Sequence, residues 1–137
     1  PRLLAVEAHP GLVHLVSTVV GDVRPGTTWS AILAATFPPG SVTGAPKLAA
    51  LDIIRSLEAG PRGPYCGAFG WIDADAGTAE LAVGIRTFWQ EDAGSATKLA
   101  FGTGAGITWG SDPRAEWRET QLKAARLLQV AGEWEVP

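Results

Sequence analysis

Cys66-Gly-Ala-Phe-Gly-Trp-Ile72 is the first of three apolar stretches of strand length in the middle of the chain. The second is Ala79 to Phe88, after the turn-rich link Asp73 to Gly77, and the third is Lys98 to Thr103, after the link Gln90 to Ala96. Strands joined by short links of this kind usually pair side by side in antiparallel order. The middle of the chain therefore predicts an antiparallel meander.

Helices are predicted on both sides of these strands. Thr28 is a capping residue before Trp29 to Thr36, and Asp112 is another before Pro113 to Val130. A third helix is predicted from Pro46, which suits a first helical position, to about Glu58. Its apolar residues fall on or near one face: Leu48, Leu51, Ile54 and Leu57.

The N-terminal region adds two β-rich runs, Leu3 to Val6 and Val13 to Val20, separated by the turn signal His9-Pro10-Gly11. Strands and helices thus come in unequal runs rather than in strict alternation. This order favours an α+β fold over a doubly wound sheet.

The composition excludes several classes of protein. With 137 residues, 46% hydrophobic and 18% charged, the chain suits one globular domain and not a disordered segment. A net charge of −3 argues against a general nucleic-acid binder, and no run is typical of a membrane span or a signal peptide. The single Cys66 favours a reducing cytoplasm. Since the chain contains no methionine, residue 1 is not a native start, and we expect a piece of a longer protein.

Two glycine-rich segments invite a nucleotide-binding interpretation, but neither fits it. Gly40 to Lys47 lacks the spacing of a phosphate-binding loop, and Gly102 to Gly106 lacks that of a dinucleotide fingerprint. They are either tight turns or places where backbone N–H groups approach an anion closely.

The last predicted helix carries two carboxylates and an ammonium group on one stripe. Glu116, Glu119 and Lys123 follow an i, i+3, i+7 pattern that spans an arc of roughly 60°. One interpretation is a solvated pair between Glu119 and Lys123, worth about 0.2–0.5 kcal/mol. The other is a Mg²⁺ site, because this cation binds to a few carboxylates together with oxygens of an anionic ligand.

Three further side chains have both a structural and a functional interpretation. His14 lies in an apolar run, where a histidine is usually part of the core. Arg86 is either on the solvent side of a strand or a clamp for a carboxylate. Tyr65, the only tyrosine, is either a packing residue or a hydroxyl donor.

Six stretches in chain order resemble the C-terminal part of the chorismate-utilising enzymes, a family that includes component I of anthranilate synthase and of aminodeoxychorismate synthase. They are His14-Leu-Val-Ser-Thr-Val-Val-Gly21, Phe37-Pro-Pro-Gly-Ser-Val-Thr-Gly-Ala-Pro-Lys47, Arg62-Gly-Pro-Tyr-Cys-Gly-Ala-Phe-Gly70, Ala82-Val-Gly-Ile-Arg-Thr87, Gly104-Ala-Gly106, and Ser111-Asp-Pro113 with Glu116-Trp-Arg-Glu-Thr120 and Lys123. The resemblance implies an α+β fold in which mixed and antiparallel sheets pack together with helices outside. It also implies that residues 1–137 are the C-terminal portion of a chorismate-binding domain, whose upstream part is absent.

The resemblance assigns a role to each matching residue. It implies that Glu116 and Glu119 hold Mg²⁺, and that His14 is catalytic, near the leaving hydroxyl of chorismate. The residues that it implies for substrate binding are Ser41, Tyr65, Arg86, Gly104, Gly106 and Lys123.

Within the family, Gly40-Ser-Val-Thr-Gly44 and Tyr65-Cys-Gly67 are most similar to aminodeoxychorismate synthase. This implies amination of chorismate at C4, on the folate pathway, with ammonia from a glutamine amidotransferase. The alternative within the family is anthranilate synthase component I, which aminates C2 and eliminates pyruvate. The alternative from another class is a folded, non-catalytic association module, and in either case we expect the isolated chain to be inactive and to self-associate.

Overall fold

The computed structural model describes residues 2–9, 12–93 and 96–132. The chain divides into two compact units, residues 1–33 and 34–137. Helices and small antiparallel sheets are both present, which confirms the predicted α+β class. None of the helices in the described ranges is long and apolar enough to cross a membrane.

The first unit begins with a hairpin. Strands β1 (Arg2–His9) and β2 (Leu12–Thr18) pair antiparallel, with Glu7 opposite His14. Both strands were predicted, although β2 ends at Thr18, two residues before the predicted end. The expected turn residues Pro10 and Gly11 lie outside the described residues.

Helix α1 (Trp29–Thr36) has the predicted bounds, and the boundary between the two units falls inside it. The Ala31 N–H donates to Thr28 Oγ1 at 3.2 Å. Thr28 is therefore the helix cap that the sequence predicted, since a hydroxyl oxygen satisfies one of the free N–H groups of the first turn.

Two helices follow at the start of the second unit: α2 (Gly40–Thr43) and α3 (Lys47–Leu57). The short α2 was not predicted. The predicted apolar face of α3 is partly wrong, because Leu48 and Leu57 remain 76% and 78% exposed. The half-buried residues instead follow an i, i+3, i+4, i+7 pattern: Lys47, Ala50, Leu51 and Ile54. At about 100° per residue Leu48 points well away from this stripe.

The predicted meander is wrong, because the strands form two separate hairpins. One consists of β3 (Ala68–Asp73) and β4 (Thr78–Val83), and the other of β5 (Phe88–Ala93) and β6 (Ala96–Phe101). The run predicted as one strand from Ala79 to Phe88 is interrupted after β4.

Local backbone geometry explains the interruption. The Cys66 N–H donates to the Gly84 carbonyl, and the Gly84 N–H donates to the Gly67 carbonyl, both at 2.8 Å. The Ile85 N–H donates to the Val83 carbonyl, two residues earlier, at 2.8 Å. Arg86 then has a φ of 52°, in the left-handed region. A chain that turns in this way cannot continue as an extended strand.

Helix α4 (Pro113–Gly132) ends the described chain. The Ala115 N–H donates to Asp112 Oδ1 at 2.8 Å, so Asp112 is the predicted cap. Of the residues whose burial is described, three are buried: Cys66, Gly84 and Ala124.

Candidate active site

The second unit contains a cavity of about 320 Å³. Its wall is built from α2, the segment between α3 and β3, the turn after β4, the segment after β6, and α4. All six residues that the sequence predicted for substrate binding line it: Ser41, Tyr65, Arg86, Gly104, Gly106 and Lys123. The fold therefore gathers at one cavity residues from five separate segments.

Tyr65 lies against the segment that follows β6. A Cβ atom on Gly102 would overlap the Tyr65 ring, and one on Gly104 would lie 3.0 Å from the Tyr65 hydroxyl oxygen. Burial raises the pKa of Tyr65 above its usual value, and the neighbouring Cys66 thiol acts in the same direction. The hydroxyl therefore keeps its proton at neutral pH and is able to donate a hydrogen bond into the cavity.

Arg62 and Glu58 also line the cavity, although neither was predicted from the sequence to be a site residue. Arg62 Nε donates to the two carboxylate oxygens of Glu58 at 3.0 and 2.9 Å. The hydrogen bond between them lowers the pKa of Glu58 and raises the pKa of Arg62. The helical i, i+4 spacing of opposite charges was no signal for this pair, because Gly60 and Pro61 lie between the two residues and α3 ends at Leu57.

Arg86 is exposed and lies in the turn between β4 and β5. Within the described ranges no carboxylate forms an ion pair with its guanidinium group. An unpaired guanidinium at a cavity is suited to bind a carboxylate through two hydrogen bonds. The geometry thus permits Arg86 to be a clamp for a carboxylate, which is one of the two interpretations made from the sequence.

Lys123 connects α4 to the segment that follows β6, which contains Gly102, Gly104 and Gly106. Its Nζ donates to the Gly104 carbonyl at 3.3 Å and forms an ion pair with Glu119 at 2.5 Å. Thr103 Oγ1 also donates to the Thr120 carbonyl, at 3.4 Å. These contacts hold the segment after β6 against the helix, with the ammonium group at the cavity wall.

The two predicted metal ligands are placed differently. Glu119 is paired with Lys123, whereas Glu116 is half-buried and lines a separate cavity of about 300 Å³ with Ile107 and Trp117. In the part of the chain that the structure describes, no three acidic, histidine or cysteine side chains are clustered so that they could hold a metal ion together. Mg²⁺ binds to one or two carboxylates and takes its other oxygens from substrate and water, and the role of Glu116 and Glu119 as its ligands stays a prediction.

Ser41 reaches the cavity wall through α2, and Lys47 holds the chain just before that helix. Lys47 Nζ donates to the carbonyl groups of Ala34, Ala35 and Phe37 at 3.3, 3.2 and 3.1 Å. Helix α1 has no basic residue in its own last turn, so the ammonium group of Lys47 compensates its free carbonyl groups. No role was predicted for Lys47 from the sequence.

His14 belongs to the first unit, where it is half-buried in β2. Its predicted role near the leaving hydroxyl of the substrate stays a prediction.

A family model described as chorismate binding enzyme matches residues 1–129. The chain therefore belongs to the family of chorismate-binding enzymes, as its motifs predicted.

Individual relatives match over nearly the whole chain. It is 42% identical to anthranilate synthase component 1 of Synechocystis and of Saccharolobus solfataricus, over 94% and 96% of this chain and 25% and 30% of those proteins. It is 43% identical to 2-amino-4-deoxychorismate synthase of Streptomyces globisporus, over 97% of this chain and 26% of that protein. The chain thus spans between a quarter and a third of the length of these relatives.

Proposed function

We propose that this chain forms the chorismate-binding wall of an enzyme that aminates chorismate. The observation that carries the proposal is the cavity at which Tyr65, Arg86 and Lys123 meet the glycines 104 and 106. Chorismate has two carboxylates, and the side chains that line this cavity include three able to donate to them: Tyr65, Arg86 and Lys123. The family match over residues 1–129 supports the same substrate.

One set of donors binds the enolpyruvyl carboxylate. Arg86 supplies a charge that no carboxylate of the described residues neutralises, and we assign the protonated hydroxyl of Tyr65, which lines the same cavity, to this carboxylate as well. Ser41 lines the same cavity, and we assign it to the ring of the substrate.

The second set binds the ring carboxylate. The backbone N–H groups of Gly104 and Gly106 approach it closely, and Lys123 balances its charge once Glu119 binds a cation in place of the Lys123 ammonium group. Glu116 and Glu119 would hold Mg²⁺, which supplies Lewis-acid stabilisation of the ring carboxylate when it is bound. Loss of the allylic hydroxyl also needs a proton donor, and His14 has that role in this proposal.

The finer proposal is amination at C4 to 4-amino-4-deoxychorismate, on the folate pathway, with ammonia from a glutamine amidotransferase. It is supported by the order of serine and threonine in Gly40-Ser-Val-Thr-Gly44. Anthranilate synthase component I is the second candidate, favoured by the names of several of the most similar relatives. We further propose that these residues are part of a larger chorismate-binding domain, so that the 137-residue chain alone is inactive.

The test uses the protein expressed from its complete reading frame, incubated with chorismate, Mg²⁺ and ammonium. We expect chorismate to be consumed and 4-amino-4-deoxychorismate to be identified by chromatography against standards. If anthranilate forms instead, the second candidate replaces the first. If chorismate is neither bound nor consumed by the folded protein, both candidates are wrong.

A further inference from the structure

Four side chains between the end of α3 and the start of β3 form a contact cluster. The guanidinium group of Arg62 lies 5.4 Å from the centre of the Tyr65 ring, and its Nη1 lies 3.4 Å from the Cys66 sulfur. Its Nε and Nη2 bind the carboxylate of Glu58. Arg62 therefore contacts the ring, the thiol and the carboxylate at the same time.

The Tyr65 ring is therefore close to two parts of the chain. The Arg62 guanidinium group lies over the ring, the backbone at Gly102 is close to the ring, and the backbone at Gly104 is close to the hydroxyl group. Cation–π contacts of a guanidinium group with an aromatic ring are worth about 0.5–1 kcal/mol at exposed sites and more when desolvated. A ring held in this way presents its hydroxyl from a fixed position.

Glu58 determines which cation of the cavity is available to a ligand. Three cationic side chains line the wall: Arg62 is neutralised by Glu58, Lys123 is neutralised by Glu119, and Arg86 has no carboxylate partner in the described part of the chain. Without Glu58, Arg62 would be a second unpaired guanidinium that competes with Arg86 for a carboxylate.

We infer that Glu58 and Arg62 are positioning residues: Arg62 holds the Tyr65 ring in place, and Glu58 fixes Arg62 so that a ligand carboxylate binds at Arg86. The planar fork of the guanidinium group is essential, because it contacts the carboxylate and the ring at once. The identity of the ligand as chorismate rests on the proposed function, whereas the holding of the ring does not.

The first experiment needs no ligand. Tyr65 is the only tyrosine of the chain, so ¹³C-labelled tyrosine gives the NMR signals of this one ring. We expect Arg62→Lys and Glu58→Gln to move these signals towards their positions in the unfolded chain. The matched controls are Arg55→Lys and Asp52→Asn, in the exposed pair of α3 (side chains 77% and 74% exposed), and they leave the signals in place. If only the positive charge of Arg62 mattered, Arg62→Lys would leave the Tyr65 signals in place.

The second experiment measures chorismate kinetics in the protein expressed from its complete reading frame. We expect Arg62→Lys and Glu58→Gln to raise KM about tenfold with kcat within about twofold, and the two control variants to change neither. If the unsubstituted protein does not use chorismate while the ring signals respond as expected, the proposed function fails and the positioning role stands. If the Tyr65 signals are the same in unsubstituted, Arg62→Lys and Glu58→Gln chains, the inference is wrong whatever the kinetics show.

Discussion

Gly102 leaves open the space that the ring of Tyr65 occupies. A Cβ atom at position 102 would overlap the ring, whereas a Cβ atom at Gly106, four residues further along the same segment, would have no atom within 4 Å. A methyl group should therefore lower the stability of the fold at Gly102 but not at Gly106, although the two glycines belong to the same motif.

We expect Gly102→Ala to displace the Tyr65 ring and to lower the free energy of unfolding by about 1–3 kcal/mol, the usual range for overpacking. Gly106→Ala is the control and should change stability little. Urea unfolding of both variants of the 137-residue chain measures this. Equal stabilities of the two variants would show that the ring does not depend on Gly102.

Substitution of Lys47 tests its contact with the end of α1. Lys47→Met removes the ammonium group from three carbonyl groups and should destabilise the chain by about 1 kcal/mol, since a cation at a helix C-terminus is typically worth this order of free energy. Thermal unfolding gives the comparison with Lys98→Met, a change at an exposed lysine of β6. A loss of equal size in both variants would mean that the three contacts contribute nothing.

Acid should remove the contribution of the Glu58–Arg62 pair to the free energy of unfolding. The folded-state pKa of Glu58 is lowered from 4.5, chiefly by its hydrogen bond with Arg62, so the contribution is complete above that value and is lost as the pH falls through the folded-state pKa. We expect Glu58→Gln to be less stable than the unsubstituted chain at pH 7, by a small amount because the pair is partly exposed. Urea unfolding between pH 7 and 3 should show this difference shrinking below about pH 4.5, and a difference that stays constant to pH 3 would contradict the prediction.

The acidic residues of α4 distinguish a metal site from a surface ion pair. In the protein expressed from its complete reading frame, Glu119→Gln should remove most activity and weaken the apparent affinity for Mg²⁺, because the amide keeps the shape and loses the charge. Glu116→Gln should do the same. A pair that only joins Glu119 to Lys123 would instead change stability by a few tenths of a kcal/mol, with unchanged turnover.

Arg118→Gln, on the exposed face of the same helix, is the control for these two variants. It should leave both turnover and Mg²⁺ dependence unchanged. If it proved as damaging as Glu119→Gln, with metal dependence unchanged in both, α4 would have a structural role and no metal site.

Many large apolar side chains are exposed, among them Trp109, Val19 and Leu3, of which the last two are 92% and 82% accessible. Extended apolar surface of this kind favours association. We therefore expect the 137-residue chain to self-associate at low micromolar concentration in sedimentation velocity runs, and to bind an apolar dye. A monomer without dye binding would contradict this.

Local features of the sequence determined where helices α1 and α4 begin. Thr28 and Asp112 were predicted as caps and are caps, because the bonds that they accept come from N–H groups only three residues away. Strands β3, β4 and β6 were also predicted, since apolar stretches of strand length and turn-rich links are local features, whereas β5 lies mostly in the predicted link Gln90 to Ala96. The motifs determined the family as well, and the match over residues 1–129 confirms it.

Only the tertiary structure decided how these parts meet. At the break between β4 and β5, the Gly84 carbonyl accepts from the Cys66 N–H and the Gly84 N–H donates to the Gly67 carbonyl, and no local pattern encodes these bonds to distant residues. The choice of Glu58 as the partner of Arg62, with Arg86 left unpaired, likewise depends on which side chains the folded backbone brings within reach. Residue types and their spacing limit the chemistry of a site, but only the folded backbone brings segments far apart in the chain to one cavity and leaves Arg86 there without a carboxylate partner among the described residues.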